Sequence, residues 1–212
     1  MKGLLVKDMR MMLGQKKFFL LVLFMAIILN FNSDTTFVVY YLTFVCSFFA
    51  VNSIGHDEND NGYSFLFTLP IDRSIYVREK YLFGVIINFS SWLVGMCICF
   101  AFQAVKNNLS VFTGSIAVLA LMLPVMIVFN SVVFPLLFKF GSEKGRIAML
   151  CVIAIVFSAG YVLNQIMDLK NLVRILSGYP MPALVLLVMA VTVVLMAVSY
   201  VISVMIIKKK EL

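Results

Sequence analysis

From Ala183 to Ile207 the chain reads ALVLLVMAVTVVLMAVSYVISVMII, with no charged residue, and then stops on Lys208, Lys209 and Lys210. A helix of this length rises about 37 Å, more than the roughly 30 Å of hydrocarbon in a bilayer. Five further stretches, at about Phe18–Phe31, Phe37–Ile54, Tyr81–Val105, Val111–Phe138 and Ile147–Gln165, also lack Asp, Glu, Lys, Arg and His. Over the whole chain, 63% of residues are hydrophobic and 13% charged, against about 25% charged in soluble domains. The expected fold is therefore all-α: a polytopic membrane protein with six transmembrane helices forming one domain over residues 1–212, with little room for a separate catalytic domain. The apolar run after the basic start lacks a small-residue cleavage site, so the first hydrophobic segment is expected to stay.

Lys and Arg decide the orientation. Lys2, Lys7, Arg10, Lys16 and Lys17, then Arg73, Arg78 and Lys80, then Lys139, Lys144 and Arg146, and finally Lys208 to Lys210 fall on the side of the termini. Only Lys106, Lys170 and Arg174 fall opposite. Both termini and the loops at 55–80 and 139–146 are expected to be cytoplasmic. The net charge of +7 then reflects topology, and nucleic acid is not implied. Residues 1–17 space Leu4, Leu5, Met9, Met12 and Leu13 between charged side chains. That spacing suits an amphipathic helix lying in the membrane interface; the alternative is a basic flank that only sets orientation.

The chemistry of the spans is sparse. Without ionisable groups, an ion-coupled carrier is disfavoured, and no catalytic pair for intramembrane proteolysis is present. Asn52, Asn88, Ser90, Ser91, Gln103, Asn130, Ser131 and Asn164 are expected to bond neighbouring helices. Cys46, Cys97, Cys99 and Cys151 have no CxxC spacing, so neither a disulfide framework nor a zinc site is indicated. His56, Asp57, Glu58 and Asp60 are read as structural or solvated rather than metal-binding. GSEKG lacks the ending of a phosphate loop, so no ATPase site is expected in this chain. Pro124 and Pro135 are expected to bend the fourth span, with neighbours satisfying the freed carbonyls.

The polar stretch HDENDNGYSFLFTLPIDRSIYVREKY, residues 56–81, needs its own account. It divides into an acidic start, an aromatic segment, and a new helix for which Asp72 is placed to cap the first amides, with Pro70 blocking continuity before it. Exposed Tyr63, Phe65, Phe67 and Leu69 require a cover, either the bilayer surface or a protein partner.

FTLPIDRSIYVREKYL resembles the permease subunits of ABC-2 type exporters, particularly the short six-span subfamily of bacterial peptide and antibiotic-resistance exporters such as those for phenol-soluble modulins. Thr68, Leu69, Pro70, Arg73, Val77, Lys80 and Tyr81 carry the likeness, together with Phe138, Lys139, Phe140, Gly141, Lys144 and Arg146 of the second loop and the start MKGLLVKD. The resemblance implies a dimer of permeases, from a second copy or a homologous chain, in a bacterial plasma membrane. It also implies separate ABC ATPase subunits that bind ATP and Mg, and outward transport of a peptide or amphipathic small molecule. On this reading residues 55–80 hold the coupling helix. Tyr63, Phe65, Leu66 and Phe67 are its anchors, Asp57, Glu58 and Asp60 its charged rim, and Leu69, Pro70 and Arg73 its exit; Lys139, Gly141, Lys144 and Arg146 form the second cytoplasmic loop. Arg73, Lys80 and Tyr81 are expected to tie the following helix to this interface, so that movement of the short element passes into the third span. The competing reading is a non-transporting membrane anchor for a cytoplasmic complex.

Overall fold

The computed structural model describes residues 2–32, 36–58, 72–106, 109–166 and 181–209, and every regular element among them is an α-helix. In order these are α1 (Lys2–Gly14), α2 (Lys16–Asn32), α3 (Thr36–Glu58), α4 (Arg73–Val105), α5 (Leu109–Ile166) and α6 (Met181–Lys209). A helix satisfies all its own backbone groups, which is why long apolar sequences take this form in lipid. Among the described residues, four helical stretches are long and apolar enough to cross a membrane: Thr36–Glu58, Arg73–Val105, Gly114–Ala154 and Ala183–Lys209. Gly3–Gly14 and Lys16–Leu29, bent by 66° at their junction, make a fifth if they are taken as one broken span.

Two of these helices run past the apolar stretches that announce them. α3 continues through His56, Asp57 and Glu58, and α4 begins eight residues before Tyr81, at Arg73. The expected cytoplasmic loop at 55–80 is therefore helical at both ends, and Asp60, Tyr63, Phe65, Leu66, Phe67, Leu69 and Pro70 lie outside the described residues.

The expected loop at 139–146 is replaced by a corner. α5 keeps helical backbone angles through Pro124 and Pro135 and departs from them at Gly141 alone, with φ 79° and ψ 178°. These angles are almost exclusive to glycine. A Cβ placed on Gly145 would stand 3.3 Å from the Cα of Leu137, although residues eight apart in a straight helix are separated by about 12 Å along its axis. The chain thus reverses at Gly141, and two arms, 109–140 and 142–166, leave it side by side.

Packing concentrates on one group of helices. α3 lies against α4 and α5, and α5 also against α6, around a core that includes Ile54, Tyr76, Val77, Phe83, Phe134 and Phe138. Val22 and Ala26 of α2 pack on Val38 and Leu42 of α3 in a second, smaller cluster. On α6, by contrast, Leu186, Leu187, Val193 and Val194 are each more than 60% exposed. An open apolar face of that size belongs in lipid.

Some polar side chains inside the helices join them, whereas Ser90, Ser91 and Ser131, also expected to bond neighbouring helices, donate to carbonyls of their own helix, and the Asn88 amide has no hydrogen-bond partner among the described residues. The Ser47 hydroxyl donates to Asn130 Oδ1 at 2.9 Å, joining α3 to α5, and Trp92 Nε1 donates to the carbonyl of Leu119 at 2.9 Å, joining α4 to α5. Pro135 has no N–H and leaves the carbonyl of Ser131, four residues earlier, without its helical partner. Ser199 of α6 donates its hydroxyl to that carbonyl, and Tyr81 of α4 meets Ser199 at 2.5 Å and Ser203 at 2.9 Å. One short polar chain therefore repairs the proline defect and binds three helices. Ser199→Ala is expected to cost about 1–3 kcal/mol by leaving the carbonyl unsatisfied, measured as thermal unfolding in detergent. Adding Pro135→Ala restores the helical donor and should recover most of the loss; no recovery would place the effect at Tyr81 instead.

Candidate functional site

At the end of the helix group where α3 stops and α4 starts, four charged side chains are brought together. Asp8 sits on the face of α1 that also carries Leu4 and Met12, one turn to either side; Leu4 is buried in the main core and Met12 packs on it. Asp57 continues the buried stripe of α3 through Ala50, Ser53 and Ile54, and Lys80 lies on the buried stripe of α4 with Tyr76, Val77, Phe83 and Gly84. Helical periodicity thus turns all three ionisable groups inward.

Lys80 is the centre of the cluster. Its ammonium pairs with Asp8 Oδ2, lies 2.7 Å from Asp57 Oδ2 and donates to the Ser53 hydroxyl at 3.2 Å. Lys7 closes the ring by pairing with Asp57 Oδ1 and standing 3.2 Å from Asp8 Oδ1. Tyr76 donates its hydroxyl to Asp57 Oδ2 at 3.1 Å, and its ring lies 5.5 Å from the Lys80 ammonium. Two cations face two carboxylates, so this set is neutral, and the side chains of Asp8 and Lys80 are fully buried. Buried charges persist only when paired and hydrogen-bonded in this way. Glu79, beside Lys80, is also buried, and its carboxylate has no hydrogen-bond partner among the described residues.

Two further contacts tie this end together. Glu58, the last residue of α3, accepts a bond from the backbone N–H of Ser142, the first residue past the Gly141 corner. A carboxylate is well placed at a helix N-terminus, where amides are unpaired and the helix dipole is positive. Arg73, the first residue of α4, donates to the carbonyls of Ile207 and Lys208 at 3.2 Å each, and so caps the C-terminus of α6. The two ends of segment 59–72 are consequently joined to α1, to the second arm of α5 and to α6.

Several expectations need correction here. Asp57 was expected on a solvated rim but is a buried ion-pair partner, because α3 has not yet ended where it stands. Within the chain, Lys80 pairs with Asp8 and Asp57, Tyr81 meets Ser199 and Ser203, and Arg73 binds the α6 terminus. Asp72 holds the N-cap position with extended backbone, yet its side chain makes no capping bond; its carbonyl accepts from Ile75 and Tyr76 at 2.9 and 3.2 Å. Lys2–Gly14 is helical, and the face that α1 buries contains an aspartate. Lys139, Lys144 and Arg146 are exposed around the Gly141 corner. His56 is exposed beside the cluster, and among the described residues no group of three His, Cys, Asp or Glu side chains is placed to hold a metal ion.

The involvement of Asp8 was missed. The available signal was a lone acid in a basic segment, in helical register with Leu4 and Met12. A cluster of this kind contains no nucleophile set against a base. What it offers is attachment: Asp57, Glu58 and Arg73, which flank residues 59–71, are bonded to α1, α4, the second arm of α5 and α6.

Long apolar helices, a lipid-exposed face and charge gathered at the helix ends define a multi-pass membrane protein. The profile described as ABC-2 family transporter protein matches residues 3–208, and the chain belongs to that family, whose members are the membrane components of ABC transporters. No significant match was found among curated proteins or solved structures.

Proposed function

We propose that this chain is the permease subunit of an ATP-driven exporter and that segment 59–71 is its coupling element. ATP and Mg are bound by a separate ABC ATPase, and the transport path forms between two permeases, identical or homologous. In this reading Tyr63, Phe65, Leu66 and Phe67 enter a groove of the ATPase, Asp60 lies at the rim, and Leu69 and Pro70 turn the chain into α4. The corner with Lys139, Gly141, Lys144 and Arg146 lies alongside through Glu58, on the cytoplasmic face of a bacterial plasma membrane together with both termini. α1 lies near the interface, tethered by Asp8. The cargo class is a peptide or an amphipathic small molecule.

The observation that carries the proposal is the anchoring of both flanks of the segment, Asp57 and Glu58 before it and Arg73, Tyr76 and Lys80 after it, to each other and to three other helical units, α1, the second arm of α5 and α6. Force delivered to an unanchored loop would be lost in the loop. Six spans are supported by the reversal at Gly141, because Gly114–Ala154 has 41 residues, about 60 Å as one helix and twice a bilayer core. The asymmetry of Lys and Arg supports the orientation.

Tyr63→Ala with Phe67→Ala tests the proposal. Interface anchors of this kind contribute about 2 kcal/mol or more each, so the double variant is expected to insert normally yet lose ATPase co-purification or uncouple ATP hydrolysis from export. Unchanged ATPase binding with unchanged export would refute the coupling role. A wild-type complex that binds ATPase but moves no cargo would favour the anchor reading.

A further inference from the structure

The lipid side of α4 and α6 carries a groove of about 560 Å³, lined by Arg78, Tyr81, Leu82, Val85, Met196, Ala197 and Tyr200. Its α4 residues fall at i, i+3, i+4 and i+7, one helical face, so the groove runs lengthwise along the helix pair. The Tyr81 and Tyr200 rings meet edge to face at 5.8 Å and 88°. Because the Tyr81 hydroxyl is engaged by Ser199 and Ser203, Tyr81 offers the groove mainly its ring. Charge enters at one end only. Arg78 is exposed, and among the described residues no hydrogen bond or ion pair holds its guanidinium. It stands about 7.5 Å along α4 from Arg73, which caps the α6 terminus, and so near the charged end of this helix pair.

We propose that this groove binds an anionic phospholipid, with the headgroup phosphate on Arg78 and an acyl chain along Leu82, Val85, Met196 and Ala197. The guanidinium fork matches a phosphate in geometry as well as charge, and the apolar length beyond it suits nothing that is charged throughout. This assignment stands apart from the coupling proposal, since it involves neither segment 59–71 nor the ion cluster.

The test uses the full chain, purified in detergent, stripped of lipid and offered phosphatidylglycerol and phosphatidylcholine in equal amounts, with retained lipid read by native mass spectrometry. Wild type should prefer phosphatidylglycerol about fivefold, the effect of one basic residue at an anionic surface. Arg78→Gln should abolish the preference, Arg78→Lys should keep part of it, and Ala197→Trp, which fills the groove, should lower retention of both lipids. Excess inorganic phosphate should leave the bound lipid in place. Equal retention of the two lipids by wild type, an undiminished preference in Arg78→Gln, unchanged retention in Ala197→Trp, or displacement by free phosphate would each overturn the assignment. So would efficient disulfide formation between two copies of Ala197→Cys in a background without native cysteines, because the groove would then be a subunit interface.

Discussion

Lys80→Ala is expected to lower stability by about 3–5 kcal/mol, the cost of stranding buried charge by removing one partner. Asp8 and Asp57 both face the Lys80 ammonium, and with Lys80 gone only Lys7, partly exposed, stays near them. Thermal unfolding in detergent, with the monodisperse fraction after extraction, measures the loss. Lys80→Met combined with Asp8→Asn removes one charge of each sign and leaves the Lys7–Asp57 pair. That double variant should recover most of the stability. If single and double variants lose the same amount, the ammonium contributes only its packing, and the ion cluster is not what holds α1 on α3 and α4.

The second large effect is expected at the corner. Gly141→Ala forces a side chain into backbone angles that cost about 1–3 kcal/mol for residues other than glycine. Its Cβ would also stand 2.5 Å from Glu58 Oε1, so the carboxylate that caps Ser142 has to withdraw. Both penalties act on the same junction between α3 and the two arms of α5. Placing Gly141→Ala in a Glu58→Ala background separates them: the steric part disappears and the backbone part stays. Thermal unfolding of the four proteins gives the cycle, and a penalty that vanishes completely with Glu58 would rule out backbone strain at Gly141.

How much of this was legible in the sequence differs from element to element. The apolar runs around Phe37–Ile54, Tyr81–Val105 and Ala183–Ile207 each became a helix, because exclusion of charge over such lengths has few other outcomes. Their ends were harder to see. Hydropathy stops at the first charged residue, whereas helical hydrogen bonding does not: α3 carries on into HDE, while the start of α4 at Arg73 agrees with the helix expected from Asp72 onward. Asp57 reads as a rim residue because α3 outlasts its apolar run, whereas Lys80 lies on the expected helix and only its partners are hidden in the sequence. Long-range pairing was invisible for a different reason: Asp8 and Lys80 are 72 residues apart, and nothing local to either names the other. Repair of the Pro135 carbonyl by a neighbouring helix was foreseeable in kind, but its agent, Ser199, came only with the packing of α6 on α5. The likeness of residues 68–81 and 138–146 to ABC-2 permeases needed no geometry, and the family match bears it out.

The distance between Asp8 and Lys80 has a consequence for how the protein is made. At about 5–20 residues per second, the 72 residues that separate them take roughly 4–14 s to synthesise. During that interval the carboxylate of Asp8 has no Lys80 to meet, and burial without a counter-charge is prohibitive. α1 must therefore wait in water or among headgroups while α2 and α3 are inserted, and docks only when α4 arrives. α1 is thus translated before α4 yet reaches its place only with it, and a ribosome that pauses before Lys80 prolongs the time for which α1 is exposed to proteases and chaperones.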